Sequence, residues 1–203
     1  MNKLLLATHN KGKIRRYRNL FSDIGINLIS LDDLNIKEKI EEPFKTSKEN
    51  SIHKAIEYSK ISKIETIAVD EFVITNFLPD NYQPGVFVRR FNKEKRELRD
   101  TEVLDVWKKI FLDYKNNNLK FSWDFSLSYY NPKNKKLKTA SAVQIDLVSN
   151  EFSKIINPGY PMSSFLIPEG YKKTYSELSP KELLTIDKKN LKPFTNLIKS
   201  LRG

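Results

Sequence analysis

A polar loop near the N-terminus contains the first residues suited to chemistry. It consists of Thr8, His9, Asn10, Lys11, Gly12 and Lys13, between a short apolar run and a helical pattern. Such a loop at a helix start can bind phosphate, because free N–H groups and the helix dipole meet the anion and a lysine balances its charge. The run lacks the second glycine and the Lys-Ser/Thr pair of a P-loop, so alone it also fits an ordinary turn with surface lysines.

Two carboxylates are placed to complete such a site. Glu49 lies near the start of a predicted helix, and Asp70 follows the next predicted strand. Ligands of open α/β sheets bind beyond the carboxyl ends of strands, which would place Asp70 near the loop. Mg²⁺ favours one or two carboxylates plus phosphate oxygens, so Glu49 and Asp70 are candidate Mg²⁺ ligands, with Mn²⁺ as an alternative. The competing interpretation is that Glu49 only stabilises a helix N-terminus and Asp70 only caps a turn.

Further polar side chains on the second predicted helix extend this hypothesis. Lys54 shares a helix face with Asn50, and it is a candidate phosphate ligand beside the metal. The chain has no cysteine and two histidines. A zinc site built on sulfur is therefore excluded, and a Ser-His-Asp hydrolase is not favoured.

Length and charge limit the classes of protein that fit. The 203 residues suit a single domain, 1–203, and the formal net charge of +11 favours a polyanionic partner such as a nucleotide or nucleic acid. A lysine cluster at 133–138 lies in a probable hairpin turn and is typical of a solvated tip. Neither a signal sequence nor a membrane span is recognisable, so we expect a cytoplasmic protein with no membrane partner.

Hydrophobic periodicity predicts an α/β fold with a mixed sheet and flanking helices. We further expect the sheet to be twisted and the chain to form two lobes around a central cleft. Strands are predicted at 3–8, 26–31, 65–69, 119–129 and 142–147, the last two as an antiparallel hairpin. Helices are predicted from 13 to before Gly25, at 47–59, at 100–114 and from about Pro193 onward.

Four blocks together resemble the inosine triphosphate pyrophosphatase family. Residues 7–13 (ATHNKGK) match its A-T-x-N-x-x-K loop, and residues 49–55 (ENSIHKA) match its E-N-A-x-x-K-A helix. Residues 67–71 (IAVDE) resemble its strand ending in paired acids, and residues 167–178 resemble the segment before its last helices. The order and spacing of the blocks over the full chain make a chance match improbable.

This resemblance implies Mg²⁺-dependent attack of water on the α-phosphorus of a nucleoside triphosphate, which releases a monophosphate and pyrophosphate. Asp70 would be the catalytic residue that orders or deprotonates the water, and Glu49 and Asp70 would bind the metal. The loop residues 8–13 and Lys54 would bind the substrate. The resemblance also implies a homodimer.

The chain departs from the family where the family binds the base. Ser163 replaces an aspartate in the G-F-G-Y-D-P run, and Lys188 and Lys189 replace the histidine and arginine of the K-N-x-x-S-H-R run. Near the catalytic block, Val69 replaces the first paired acid and Arg16 replaces an acid after the loop. Glu71 would replace the missing acid only if the chain turned after Asp70, since neighbouring strand residues face opposite sides.

The sequence therefore predicts a pyrophosphohydrolase with altered base specificity, in which Ser163, Lys188 and Lys189 line a rebuilt base pocket. A catalytically weak or inactive nucleotide-binding relative is the first alternative. A basic nucleic-acid-binding protein on the same fold is the second.

Overall fold

The structure is a computed structural model that describes residues 3–89, 96–114 and 118–201. Its helices are α1 (Lys11–Ser22), α2 (Ser47–Ser62), α3 (Asp100–Asp113), α4 (Pro180–Asn190) and α5 (Lys192–Ser200). Its strands are β1 (Leu4–Leu6), β2 (Leu28–Ser30), β3 (Thr66–Thr75), β4 (Lys120–Asn131), β5 (Lys136–Val148) and β6 (Leu166–Pro168).

The strands form one mixed sheet in the order β2-β1-β3-β4-β5-β6. β1 pairs in parallel with both β2 and β3, with Leu5 opposite Ile29 on one side and Thr66 on the other. β5 and β6 are antiparallel, with Leu147 opposite Ile167. The predicted mixed α/β fold is confirmed.

The chain divides into two compact units, and the first contains residues 1–71, 124–142 and 187–203. Its core lies where β1 and β3 pack against α2. The buried residues there are Leu5, Ala7, Leu31, Ile36, Ala55, Tyr58 and Ala68. Because β1 is buried on both faces, its three leucines form an unbroken apolar run instead of alternating with polar residues.

The second unit contains residues 72–123 and 143–186. Its core is aromatic, with Trp107 of α3 packed 4.8 Å from Phe121 of β4 and 6.0 Å from Phe165, measured between ring centroids. Edge-to-face and tilted ring pairs of this kind add to the stabilisation from buried area.

β5 reverses the usual distribution of polar and apolar residues within the second unit. Val143, Ile145 and Leu147 are exposed, whereas Gln144 and Asp146 are buried. The Asp146 carboxylate accepts hydrogen bonds from Gln144 and from the Tyr175 hydroxyl, which compensates part of the cost of burying it.

Several predicted boundaries shift, and one shift changes the interpretation of the site. β3 continues to Thr75, so Asp70 lies within a strand and not at its carboxyl end, and that prediction is wrong. The strand continues because Val73 and Thr75 are buried and Val73 pairs with Gly85.

α5 begins one residue before Pro193, which therefore stands in its first turn, as predicted. Within the described ranges, no helix combines the length and apolar character needed to cross a bilayer.

Candidate functional site

The loop 8–13 is the start of α1, held by its own side chains. The Thr8 hydroxyl accepts the Asn10 N–H at 3.1 Å, and the Asn10 side-chain oxygen accepts the Lys13 N–H at 3.0 Å. Asn10 is thus the N-cap, so α1 begins at Lys11, two residues earlier than predicted. The first turn of a helix leaves N–H groups without intrahelical partners, which gives this end of α1 its affinity for anions.

Other residues of the loop have different surroundings. Gly12 is buried, whereas Lys11 is exposed. His9 lies beside the segment that precedes α2, with Nε2 2.9 Å from the Glu38 carbonyl oxygen. The Tyr58 hydroxyl donates to the same carbonyl at 2.9 Å and accepts the Ile40 N–H at 3.3 Å. His9 and Tyr58 together fix the backbone of the segment that carries Glu42.

Lys54 links two carboxylates. Its Nζ donates to Glu42 Oε1 at 2.6 Å, to Asp70 Oδ1 at 3.0 Å and to the Val69 carbonyl oxygen at 3.1 Å. The side chains of Lys54 and Asp70 are 9% and 8% exposed, so the contact lies largely out of water. Glu42 and Asp70 therefore share one cation, the Lys54 ammonium.

Lys13 forms the other half of the site, where its Nζ lies 3.4 Å from Glu71 Oε1. Burial by itself would lower the pKa of Lys13, but the negative charges of Glu71, Asp70 and Glu42 outweigh it and raise this pKa above its ordinary value. We call Lys13, Glu42, Lys54, Asp70 and Glu71 the charge cluster. All five belong to the first unit, and their formal charges sum to −1.

The Asp70 carboxyl has a shifted protonation equilibrium. Burial raises its pKa, and this effect exceeds the opposing effects of Lys54 and Lys13. Its second oxygen, Oδ2, is buried and has no hydrogen-bond partner among the described residues. Glu71 Oε1 is also buried and, apart from its ion pair with Lys13, makes no hydrogen bond there. Such orphaned carboxylate oxygens are unusual, and a site that binds a cation or a water accounts for them.

The donor set fits a magnesium ion that arrives with phosphate. No group of three or more His, Asp or Glu side chains within the described ranges is arranged to hold a metal by itself. Mg²⁺ needs only one or two carboxylates when phosphate oxygens and waters supply the rest. Asp70, with its orphaned Oδ2, and Glu42 satisfy that requirement.

Glu49, the predicted partner of Asp70, lies elsewhere. It is exposed in the first turn of α2, where its carboxylate accepts the Thr46 hydroxyl at 2.6 Å and its N–H donates to the same hydroxyl oxygen. No contact between described residues links it to the charge cluster. This geometry matches the competing interpretation of a helix-capping residue, and the metal-binding role of Glu49 stays a prediction.

Neither Glu42 nor Glu71 is among the predicted site residues, although both belong to the charge cluster. Glu42 lies in an irregular segment without periodicity, and the only local signal is that it follows another acid and precedes Pro43, which favours an extended backbone. Glu71 joins the cluster although β3 does not end at Asp70. The long Lys13 side chain reaches the Glu71 carboxylate.

The residues predicted to contact the base are placed as follows. Ser163 lies in the second unit, in a 3₁₀ turn at Pro161–Ser164, where its buried hydroxyl has no hydrogen-bond partner among described residues. Lys188 and Lys189 lie on α4, both exposed, and Lys188 Nζ is 2.7 Å from Asp23 Oδ1. Contact of these three residues with a base stays a prediction.

Arg16 forms an ion pair with Asp187, the residue before Lys188, and the sequence did not predict this contact. Its Nε and Nη2 both lie 2.8 Å from Asp187 Oδ1, and its guanidinium carbon lies 5.1 Å from the centre of the Phe125 ring. Arg16 replaces a family acid, and Asp187 replaces the serine of the S-H-R run. These two departures thus form one ion pair in the first unit.

Comparison with known proteins agrees with these observations. The sequence profile of the Ham1 family matches residues 4–192. A dITP/XTP pyrophosphatase from Wigglesworthia glossinidia brevipalpis is 32% identical over 204 residues, covering 100% of this chain and 98% of the relative. A dITP/XTP pyrophosphatase from Flavobacterium psychrophilum is 29% identical over 184 residues, covering 91% of each chain.

Solved structures support the fold independently. A HAM1 protein from Coxiella burnetii superposes with a TM-score of 0.75 at 21% identity, over 98% of this chain and 100% of the other. The Ham1 protein of Staphylococcus aureus gives a TM-score of 0.69 at 19% identity, over 98% and 97% of the two chains. With a family profile that spans nearly the whole chain and a full-length relative at 32% identity, this chain belongs to the Ham1 family.

Proposed function

We propose that this protein is a nucleoside triphosphate pyrophosphohydrolase that uses Mg²⁺, or Mn²⁺ in its place, and releases a nucleoside monophosphate and pyrophosphate. The observation that carries the proposal is the pair of carboxylates, Glu42 and Asp70, that share the Lys54 ammonium in the unit that also contains Lys13 and the N-terminus of α1. The full-length relatives named dITP/XTP pyrophosphatases support the reaction class.

The cluster contains the groups that phosphoryl transfer needs. The first turn of α1 and the Lys13 ammonium bind phosphate oxygens. Asp70 orders a water and accepts its proton as the water oxygen attacks the α-phosphorus, while the bond from that phosphorus to the bridging oxygen breaks and pyrophosphate leaves. A raised pKa makes the Asp70 carboxylate a stronger base than an ordinary aspartate. Asp70 and Glu42 would hold the Mg²⁺ ion, which would supply neutralisation of charge on the phosphates and the leaving group.

Base specificity is the part of the proposal in which this chain differs from its family. Ser163, Lys188 and Lys189 stand where the family has an aspartate, a histidine and an arginine. A site cannot discriminate through hydrogen bonds that it does not make. We therefore expect inosine and xanthosine triphosphates to be preferred over ATP and GTP by much less than the roughly 10⁴-fold that a polar pocket can provide.

A homodimer in the cytoplasm completes the proposal. The exposed stripe of Val143, Ile145 and Leu147 on β5 offers an apolar surface for a second copy. Light scattering of the purified protein tests this assembly. A monomer at micromolar concentration would contradict it, and Ile145→Lys should weaken a dimer that uses this face.

Pyrophosphate release from a panel of canonical and deaminated triphosphates, with Mg²⁺ and with Mn²⁺, tests the activity. Release from at least one substrate supports the proposal. Tight binding of a triphosphate without release from any would instead favour the nucleotide-binding alternative, to which the loss of an acid at Val69 points. Salt-dependent binding of oligonucleotides in place of triphosphates would favour the nucleic-acid alternative.

A further inference from the structure

The surroundings of Lys54 point to a role beyond phosphate binding. An ammonium group has three N–H donors and no acceptor. All three are used inside the protein, by Glu42 Oε1, Asp70 Oδ1 and the Val69 carbonyl oxygen. Lys54 consequently has no donor left for a phosphate in this state, and it must release at least one protein oxygen before it can bind substrate.

The three oxygens that accept these hydrogen bonds also show that the Lys54 ammonium occupies the position between the two carboxylates. They surround Nζ at 2.6, 3.0 and 3.1 Å, and two of them are carboxylate oxygens that a divalent cation would also use. An ammonium and a metal ion cannot both lie between Glu42 Oε1 and Asp70 Oδ1 at these distances. Lys54 lies in the middle of α2, and its side chain is 9% exposed.

We infer that Lys54 is a built-in cation that occupies the metal position in the ligand-free protein and exchanges its carboxylate partners for phosphate oxygens when a metal triphosphate binds. A metal alone must displace the ammonium into a position where it has no anionic partner. A metal that arrives with a triphosphate supplies that partner at once. Metal and triphosphate therefore bind with positive coupling, and the free protein holds metal weakly. The inference rests on the proposed function for the identity of the second ligand.

The test measures binding of Mn²⁺ by electron paramagnetic resonance, without nucleotide and with a methylene-bridged triphosphate that cannot be hydrolysed. Lys54→Met should bind Mn²⁺ alone more tightly than the wild type, by roughly the 5- to 150-fold typical of coupled sites. It should also lose most of the enhancement that the triphosphate gives. Lys54→Arg retains a cation and should keep weak metal binding.

Two matched variants distinguish the effect of emptying the position between Glu42 and Asp70 from the effect of removing any nearby positive charge. Lys13→Met removes the same charge from the cluster but pairs with Glu71, outside the position between Glu42 and Asp70, so its effect on Mn²⁺ alone should be clearly smaller. Lys60→Met changes an exposed lysine of the same helix whose ion pair among the described residues is with Glu57, and it should leave Mn²⁺ binding unchanged. Circular dichroism checks that each variant is folded. If Lys54→Met does not fold, the Mn²⁺ affinity of Lys54→Arg alone tests the inference.

The results that overturn the inference are distinct from those that overturn the proposed function. Equal gains in Mn²⁺ affinity for Lys54→Met and Lys13→Met would refute the built-in cation even if triphosphates are hydrolysed. Tight metal binding by Lys54→Arg in the absence of nucleotide would refute it as well. A gain specific to Lys54→Met in a protein that neither binds nor hydrolyses triphosphates would support the built-in cation while the proposed function fails.

Discussion

The ion pair between Arg16 and Asp187 should contribute measurably to stability, although the two residues are 171 positions apart. Two guanidinium nitrogens lie 2.8 Å from the same carboxylate oxygen, and the side chains are only 14% and 13% exposed. Removing one partner of a fully buried pair costs about 3–5 kcal/mol. Since this pair retains some solvent, we expect about 2–3 kcal/mol for Arg16→Met or Asp187→Asn.

Urea unfolding of both single variants and of the double variant gives the coupling between the two residues. The loss of unfolding free energy in the double variant should be smaller than the sum of the losses in the two single variants by about 1–2 kcal/mol, because the double variant leaves no lone buried charge. Lys60 and Glu57 provide the control, since this pair is 61% and 31% exposed and should show a coupling of about 0.3–0.5 kcal/mol. A coupling between Arg16 and Asp187 no larger than that of the control would refute the view that these two departures from the family are one structural exchange.

Three further predictions concern the charge cluster. Lys13→Ala should weaken triphosphate binding by about 2–5 kcal/mol whatever the base, measured by calorimetry, and unchanged affinity would exclude the phosphate-binding role of the loop. Because the folded-state pKa of Lys13 is raised, its stabilisation is complete below about pH 10.4 and is lost as the pH rises through the folded-state value, so urea unfolding of Lys13→Met should show a smaller alkaline loss than the wild type. Glu42→Gln should raise the Mg²⁺ concentration needed for half-maximal activity, whereas Glu49→Gln should cost only the stability that an exposed carboxylate adds in the first turn of a helix, about 0.3–1 kcal/mol. The reverse pattern would assign the metal to Glu49.

The parts of the site that follow local rules could be predicted from the sequence. The polar, glycine-containing run before a helical pattern predicts a loop at the start of α1, because the start of a helix depends on residues within three positions of one another. Lys54 was identified for a similar reason, since helical spacing fixes the face on which it lies.

The parts that depend on distant contacts could not be predicted. Glu42 lies in an irregular segment whose backbone is held by hydrogen bonds from His9 and Tyr58. No periodic pattern in the sequence predicts the path of such a segment. The sequence predicts that the strand ends before Asp70, where the apolar run stops, yet β3 continues because Val73 pairs with Gly85. The Arg16–Asp187 pair appears in the sequence only as two separate departures from a family pattern.

The measurement that tests the central claim most directly is pyrophosphate release by wild type and Asp70→Asn with saturating Mg²⁺ and triphosphate. Asp70→Asn keeps the size of the side chain but removes its charge and basicity. We predict that the wild type releases pyrophosphate, and that in Asp70→Asn the rate falls by about 10²-fold or more while triphosphate affinity changes little. Brisk release that does not depend on Asp70 would contradict the assignment and transfer the role of base to another group, with Glu71 as the nearest candidate.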